Sequence, residues 1–263
     1  MRTPWIRVLL LTALLAGAGV LAAALSPARA DPNALWTKVV QVCVKSDPQQ
    51  DKSNPCDIVD KAADYVLVKD ICGPTQYLMM PVHRLSGIES ADLATAPNYF
   101  RDAWESRDWV AGRAGRKLAP QDIALALNSI DRRSQNQFHI HIDLARAGLS
   151  DALRAHETDA VGTWSSFQFQ GVDYHLMRLT DLASQDPVKL VRARVAAEAG
   201  DQAQAEMRHQ SIGLVGATFS DGSSGFYLLN SVFAATSIGS GWAEGLEIDH
   251  PRGDCSYRRF PAP

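Results

Sequence analysis

The chain has 263 residues, 46% of them hydrophobic, which is enough to bury a sizeable core and too apolar for a disordered protein. Its 26 basic and 29 acidic residues leave a formal charge of -3, so no overall basic field suggests a nucleic-acid partner. Any charged ligand has to be held by a local arrangement of side chains.

Near the start, Arg2 and Arg7 flank the approach to an uncharged apolar run, residues 8–25, which is followed by Pro27 and the small-x-small triplet Ala28, Arg29, Ala30. This is the layout of an export signal cleaved before Asp31. The run is also just long enough to stay as a spanning helix with its basic end in the cytoplasm. Both readings put everything after about residue 31 outside the cytoplasm. Four cysteines in an exported chain then suggest disulfides, with three pairings open. Cys43 and Cys56 bracket a polar, proline-containing loop whose ends can meet, which leaves Cys72 with Cys255. No C-x-x-C spacing points to a metal site.

In chain order, residues 34–44 repeat apolar side chains at helical spacing and stop before Asp47 and Pro48. Two apolar runs, 65–69 and 76–80, are joined through Gly73 and Pro74 and predict a β-hairpin. Residues 98–112 keep the three-to-four spacing of an amphipathic helix, ended by Gly112 and Gly115. The alternation of Ile123, Leu125 and Leu127 predicts a strand, and the polar stretch NSIDRRSQ leads from it into a second strand, NQFHIHIDLA. Beyond Gly148 the pattern predicts a helix at 151–158, a strand at 174–179, a helix at 187–199, and strands at 212–219 and 226–229. YHLMRL and GFYLLN faintly echo YVLVKD and TQYLMM, the mark a degenerate duplication would leave. The fold class is therefore α+β: an antiparallel sheet with packed helices over 31–148, extended by an α+β region at 149–263 that repeats or caps it.

The candidate chemistry sits in NQFHIHIDLA. In a strand, residues two apart share a face, so Gln137, His139, His141 and Asp143 point one way and Phe138, Ile140, Ile142 and Leu144 point into the core. Three readings of the imidazole pair compete. The histidines are surface or hydrogen-bonded residues without chemistry; or His139, His141 and Asp143 bind a metal in a non-enzymatic exported module; or a neutral imidazole attacks an electrophilic phosphorus.

The surroundings favour the third. NSIDRRSQNQFHIHID resembles the active-site segment of the histidine triad superfamily, in which an Asn and a Gln precede H-φ-H-φ-H, where φ is apolar. Asn128, Gln135, His139 and His141 fall in that register, and Asp143 stands where the third histidine would be. Together with YVLVKDICGPTQYLMMP, RLSGIES and NYFRDAWESRDW behind an export segment, the stretch 35–144 is similar to the CDP-diacylglycerol pyrophosphatase family of bacterial membranes. The resemblance implies a histidine-triad-like fold and hydrolysis of CDP-diacylglycerol to CMP and phosphatidate, without a metal or other cofactor, at the periplasmic side of the inner membrane. A histidine triad hydrolase or transferase acting on soluble nucleotides is the alternative within the same superfamily. His141 would be the nucleophile, with a backbone carbonyl fixing its tautomer. His139, Gln135 and Asn128 would donate to phosphate oxygens. Arg84 supplies a planar cation suited to phosphate, and Lys69, Gln137 and Asp143 complete the expected substrate-binding set, with Arg132 and Arg133 in the intervening loop. Many histidine triad proteins are homodimers, and the resemblance extends to that. His83 shares the basic position after the pocket strand with Arg84, but alternation turns one of the two away, which favours Arg84; His156, His175, His209 and His250 match no spaced motif and read as surface or satisfied residues. Trp104 and Trp109 read as packing, and no phosphate-cradling glycine loop is present.

Overall fold

The computed structural model describes residues 31–250. From Pro32 onward they form one compact unit built on a single nine-stranded antiparallel sheet. The strands are β1 (Ile58–Asp60), β2 (Tyr65–Lys69), β3 (Tyr77–Pro81), β4 (Ile123–Leu127), β5 (Ile140–Leu144), β6 (Trp164–Phe169), β7 (Val172–Leu179), β8 (Gln210–Thr218) and β9 (Ser224–Val232). Their order across the sheet is β1-β2-β3-β5-β4-β8-β9-β7-β6. The two halves share one topology. Hairpins β2-β3 and β4-β5 interleave as β2-β3-β5-β4, hairpins β6-β7 and β8-β9 interleave as β6-β7-β9-β8, and β4 pairs with β8 where the halves meet.

The helices are α1, where Leu35–Val40 and Gln41–Cys43 run on from one another, then α2 (Tyr99–Glu105), α3 (Asp108–Ala114), α4 (Leu149–Leu153), α5 (Pro187–Ala199) and α6 (Ala203–Glu206). Asp186 starts α5 by accepting from the Val188 and Lys189 amides, with Pro187 in the first turn where its missing N–H costs nothing. The helix expected over 98–112 is two helices. The Ser106 hydroxyl bonds back to the Asp102 carbonyl, and the Arg107 side chain takes the Trp104 carbonyl, so the chain bends there and Gly112 falls inside α3. Two strands escaped the sequence pattern, β1 and β6. Half of β6 is polar, but the Gln170-Gly171 turn that joins it to β7, with both φ angles positive, is a hairpin signal that the sequence does carry.

One face of the sheet packs against α2, α3 and α5 through Leu67, Met79, Leu125, Ile140, Ile142, Leu214 and Leu228. The other face carries two separate apolar clusters. Val66, Val68, Leu78 and Met80 meet Val39, Val40 and Cys43 of α1, and Tyr174, Leu176, Val215 and Leu229 meet Leu149, Leu153 and Leu246. Gly213 lets the second cluster close, since a Cβ there would lie 2.1 Å from Leu246 Cδ1. The strip of β5 between these clusters carries polar groups and lies under the chain segment 243–250. Cys43 is disulfide-bonded to Cys56 as expected. Cys72 is bonded as well, and Cys255, its expected partner, lies outside the described residues. So does the export segment; among the described residues no helix is long and apolar enough to cross a membrane.

Candidate active site

Strand alternation puts His141 and Asp143 on the face away from α2, α3 and α5, while Ile140 and Ile142 anchor β5 in the core at 0% exposure. His141 sits opposite Leu78 of β3 and Ala126 of β4, so both neighbouring strands leave it an apolar floor. The His139 and His141 rings lie 5.0 Å apart, each 7% exposed. Burial and then the neighbouring His141 bring the His139 imidazole down to about 4. Burial likewise brings His141 down to about 4, against the pull of Asp70 and Asp143. Both rings are therefore neutral near pH 7.

The backbone carbonyl expected behind the nucleophile stands instead behind its neighbour: Gln137 O lies 2.6 Å from His139 Nδ1. Among the described residues His141 has no hydrogen-bond partner at either ring nitrogen. Glu244 Oε1 comes within 3.5 Å of its Nε2 without making a hydrogen bond. Asn128 holds that carboxylate in place: its Nδ2 donates to Glu244 Oε1, and its Oδ1 accepts from the Ala243 amide at 2.8 Å. Asp143 is fully buried and saturated. It accepts from the Thr75 hydroxyl at 2.6 Å and from the Leu144 amide at 2.8 Å, and faces His250 Nε2 at 2.5 Å. That contact with Asp143 raises the His250 pKa above its ordinary value. His250 packs so closely over Gly73 that a Cβ there would sit 2.3 Å from its ring.

Lys69 donates to the carbonyls of Asp70 and Gly73 and so shapes the loop beneath His250. Gln137 ties the lead-in of β5 to the end of β3 through the carbonyls of Pro81 and His83, at 3.4 and 3.2 Å. Gln135 accepts from the Leu35 amide at 3.0 Å, and Arg84 donates to Asn33 at 2.8 Å. Both therefore face the start of α1 beside the His139 end of β5, where the Phe138 amide meets the Leu85 carbonyl. Arg133 makes a two-pronged pair with Glu89, and Arg132 donates to the Ser240 carbonyl. His156 pairs with Asp159 and His209 with Asp131, in keeping with their reading as satisfied residues, and His83 pairs with Asp64.

Three groups at this site escaped the sequence reading: Glu244, Glu247 and His250. Glu247 is 1% exposed, accepts from Gln76 at 3.0 Å through Oε2, and among the described residues has no partner at Oε1. Burial, then Asp143 and Glu244, push its pKa well above the carboxylate range. His141, Glu244 and Glu247 present ligand atoms within 4.8 Å of one another, a set that could hold a cation. The only sequence signal for these groups is their crowding in AEGLEIDH, and nothing in that stretch says which strand it crosses.

The model of the CDP-diacylglycerol pyrophosphatase family matches residues 30–256, most of the chain. The chain belongs to this family. Among curated proteins it is 39% identical over 159 residues to the CDP-diacylglycerol pyrophosphatase of Yersinia pestis. That match covers 59% of this chain and 62% of the relative, under two thirds of the relative's length. Family membership extends past β5 to the C-terminal segment, because the matched residues include Glu244, Glu247 and His250.

Proposed function

We propose that this protein hydrolyses CDP-diacylglycerol to CMP and phosphatidate, with His141 as the nucleophile. The observation that carries this reading is the state of His141: buried, held neutral, unpaired at both nitrogens among the described residues and fixed on a strand beside a second imidazole. The Nε2 lone pair attacks the phosphorus of the cytidylyl group, the bond to the bridging oxygen breaks, and phosphatidate leaves with that oxygen. Water then attacks the same phosphorus, the P–N bond breaks, and CMP departs while His141 recovers its lone pair. Glu244, which approaches Nε2 in the free protein, gives way to the phosphoryl group and then accepts the proton of the attacking water. Asn128 steadies a phosphoryl oxygen, His139, its one ring proton given to the Gln137 carbonyl, walls the site beside His141, and Arg84 and Gln135, at the same end of β5, bind the remaining phosphate. Asp143 acts from behind, orienting His250 and the 70–73 loop rather than touching substrate. The substrate's acyl chains stay in the bilayer; the export segment carries the domain out of the cytoplasm and, where it is retained as an anchor, also holds it at the membrane.

We read the two halves of the sheet as a degenerate duplication of a histidine-triad-like unit, on the strength of their identical strand order. A second reading of the site follows from the ligand set His141, Glu244 and Glu247, which would make this a cation site in place of the His139, His141, Asp143 set expected from the sequence. Release of CMP from CDP-diacylglycerol in detergent micelles, by wild type and His141→Ala with a chelator present, separates the two. The covalent reading expects wild type to work under chelator, to carry a cytidylyl group on His141 in a quenched reaction, and to lose about a thousandfold or more in the Ala variant. Activity that disappears with chelator and returns with a divalent cation makes His141 a ligand. Substantial activity in His141→Ala removes both readings.

A further inference from the structure

The described residues expose seven large apolar side chains, and three of them, Val232, Ile238 and Trp242, fall within the eleven residues that join β9 to the segment over the active site. Val42, Trp109 and Val161 are single exposed residues of the kind any protein carries. Loop 232–242 differs because its base is firmly built while its tip is bare. The Ser240 hydroxyl accepts from the Ala234 amide at 2.9 Å, the Ser237 amide meets the Ala234 carbonyl at 3.0 Å, and the Gly241 amide meets the Ser231 hydroxyl at 3.2 Å. Those bonds hold Ile238 at 94% exposure. A well-bonded loop that presents an isoleucine to water is shaped for an apolar surface it has yet to meet.

Its charge and position identify that surface. Arg132, itself exposed, lies 5.0 Å above the Phe233 ring and donates to the Ser240 carbonyl, which sets a permanent cation beside the apolar tip. An exposed Trp242 closes the loop. Isoleucine at the tip, with arginine and tryptophan at the base, matches hydrocarbon below an anionic headgroup layer. The loop is also continuous with the site: the Gly241 carbonyl accepts from the Ser129 amide, and the next two residues bring the Ala243 amide to Asn128 and Glu244 to His141. Across the site, Ile71 stands exposed on the loop whose Asp70 acts on His141. Both rims of the nucleophile's strip thus carry apolar side chains.

We infer that loop 232–242 docks on the phospholipid bilayer, seating Ile238 among the acyl chains and Arg132 at the phosphates, so that a lipid substrate reaches His141 without leaving the membrane. This rests on the lipid-hydrolase reading above. The test uses the full chain reconstituted in phosphatidylethanolamine–phosphatidylglycerol vesicles, with an Ile238→Trp variant whose added emission is compared with wild type. The position-specific readout matters because the apolar run 8–25 can bind vesicles by itself. Brominated phospholipids are expected to quench the added emission and vesicles to shield it from acrylamide. In parallel, Ile238→Glu is expected to raise KM for vesicle-borne CDP-diacylglycerol by about tenfold or more, the scale of losing one buried aliphatic side chain. Its kcat, and its turnover of a short-chain water-soluble analogue, stay unchanged. An added tryptophan equally open to acrylamide with and without vesicles overturns the proposal. So does an Ile238→Glu variant that changes only the oligomeric state, which would make the loop a contact between copies. Lipid quenching without hydrolysis of CDP-diacylglycerol leaves the docking loop standing and removes the substrate reading.

Discussion

β5 and β9 occupy the same place in their halves of the sheet, and the difference between them lies on one face. Each is the inner strand of two interleaved hairpins, β5 between β3 and β4, β9 between β7 and β8. Towards α2, α3 and α5 both present apolar residues, Ile140 and Ile142 on β5, Phe226 and Leu228 on β9. On the opposite face β5 carries His141 and Asp143, whereas β9 carries Tyr227 and Leu229 packed with Leu149, Leu153 and Leu246. The same scaffold thus supports chemistry in one half and a second core in the other. Side chains on a single strand face are enough to make that change, because the helix-facing residues already hold the strand in place.

Substitutions on the two strands should therefore fail in opposite ways. His141→Ala should cost about a thousandfold or more in CMP release, about 4 kcal/mol of transition-state stabilisation, while leaving the melting temperature close to wild type. Leu229→Ala should do the reverse. It leaves a cavity beneath Leu246 and should lower unfolding stability by about 2–5 kcal/mol in denaturant titrations, with little change in kcat per folded molecule. A loss of activity in Leu229→Ala matching that of His141→Ala would show that the two halves do not divide the labour in this way.

The histidines sharpen the comparison through pH. In the folded chain His139 and His141 both bind a proton only near pH 4, against 6.5 for a free imidazole. The unfolded chain therefore takes up protons first as pH falls, and stability drops between about pH 6.5 and 4, by on the order of 2 kcal/mol or more. Denaturant midpoints measured across that window should fall for wild type and flatten in a His139→Gln, His141→Asn double variant. Nucleophile protonation should leave activity intact down to about pH 5, well below the ordinary imidazole range.

Glu247 gives the opposite effect. Its buried carboxyl keeps its proton above the pH at which the unfolded chain releases it, so this group costs stability as pH rises past about 4.5. Glu247→Gln keeps the shape and removes the titration. Its melting temperature relative to wild type should therefore be higher at pH 8 than at pH 5, and a difference independent of pH would mean that Glu247 is ionised in the fold.

Local pattern was a good guide wherever one element determines its own face. The hairpin of β2 and β3, the strand at 123–127 and helix 187–199 were all legible, because period-two alternation and the Asp186-Pro187 start signal are short-range chemistry. The placement of His139, His141 and Asp143 on one side of β5 was legible for the same reason. The break between α2 and α3 was not, since it depends on Ser106 and Arg107 choosing carbonyls over solvent.

The rest of the site was decided by the tertiary structure. Asp143, placed among the substrate-binding groups by its spacing, is instead saturated by Thr75 from the β2-β3 connection and His250 from the C-terminal segment. Glu244 and Glu247 reach β5 across more than a hundred residues, along a path set by the order of the strands and by Leu246 seating over Gly213. Alternation along a strand can say which way a side chain points. What it meets there depends on which distant segment crosses that face, and that is fixed only when the whole sheet assembles and its apolar clusters close.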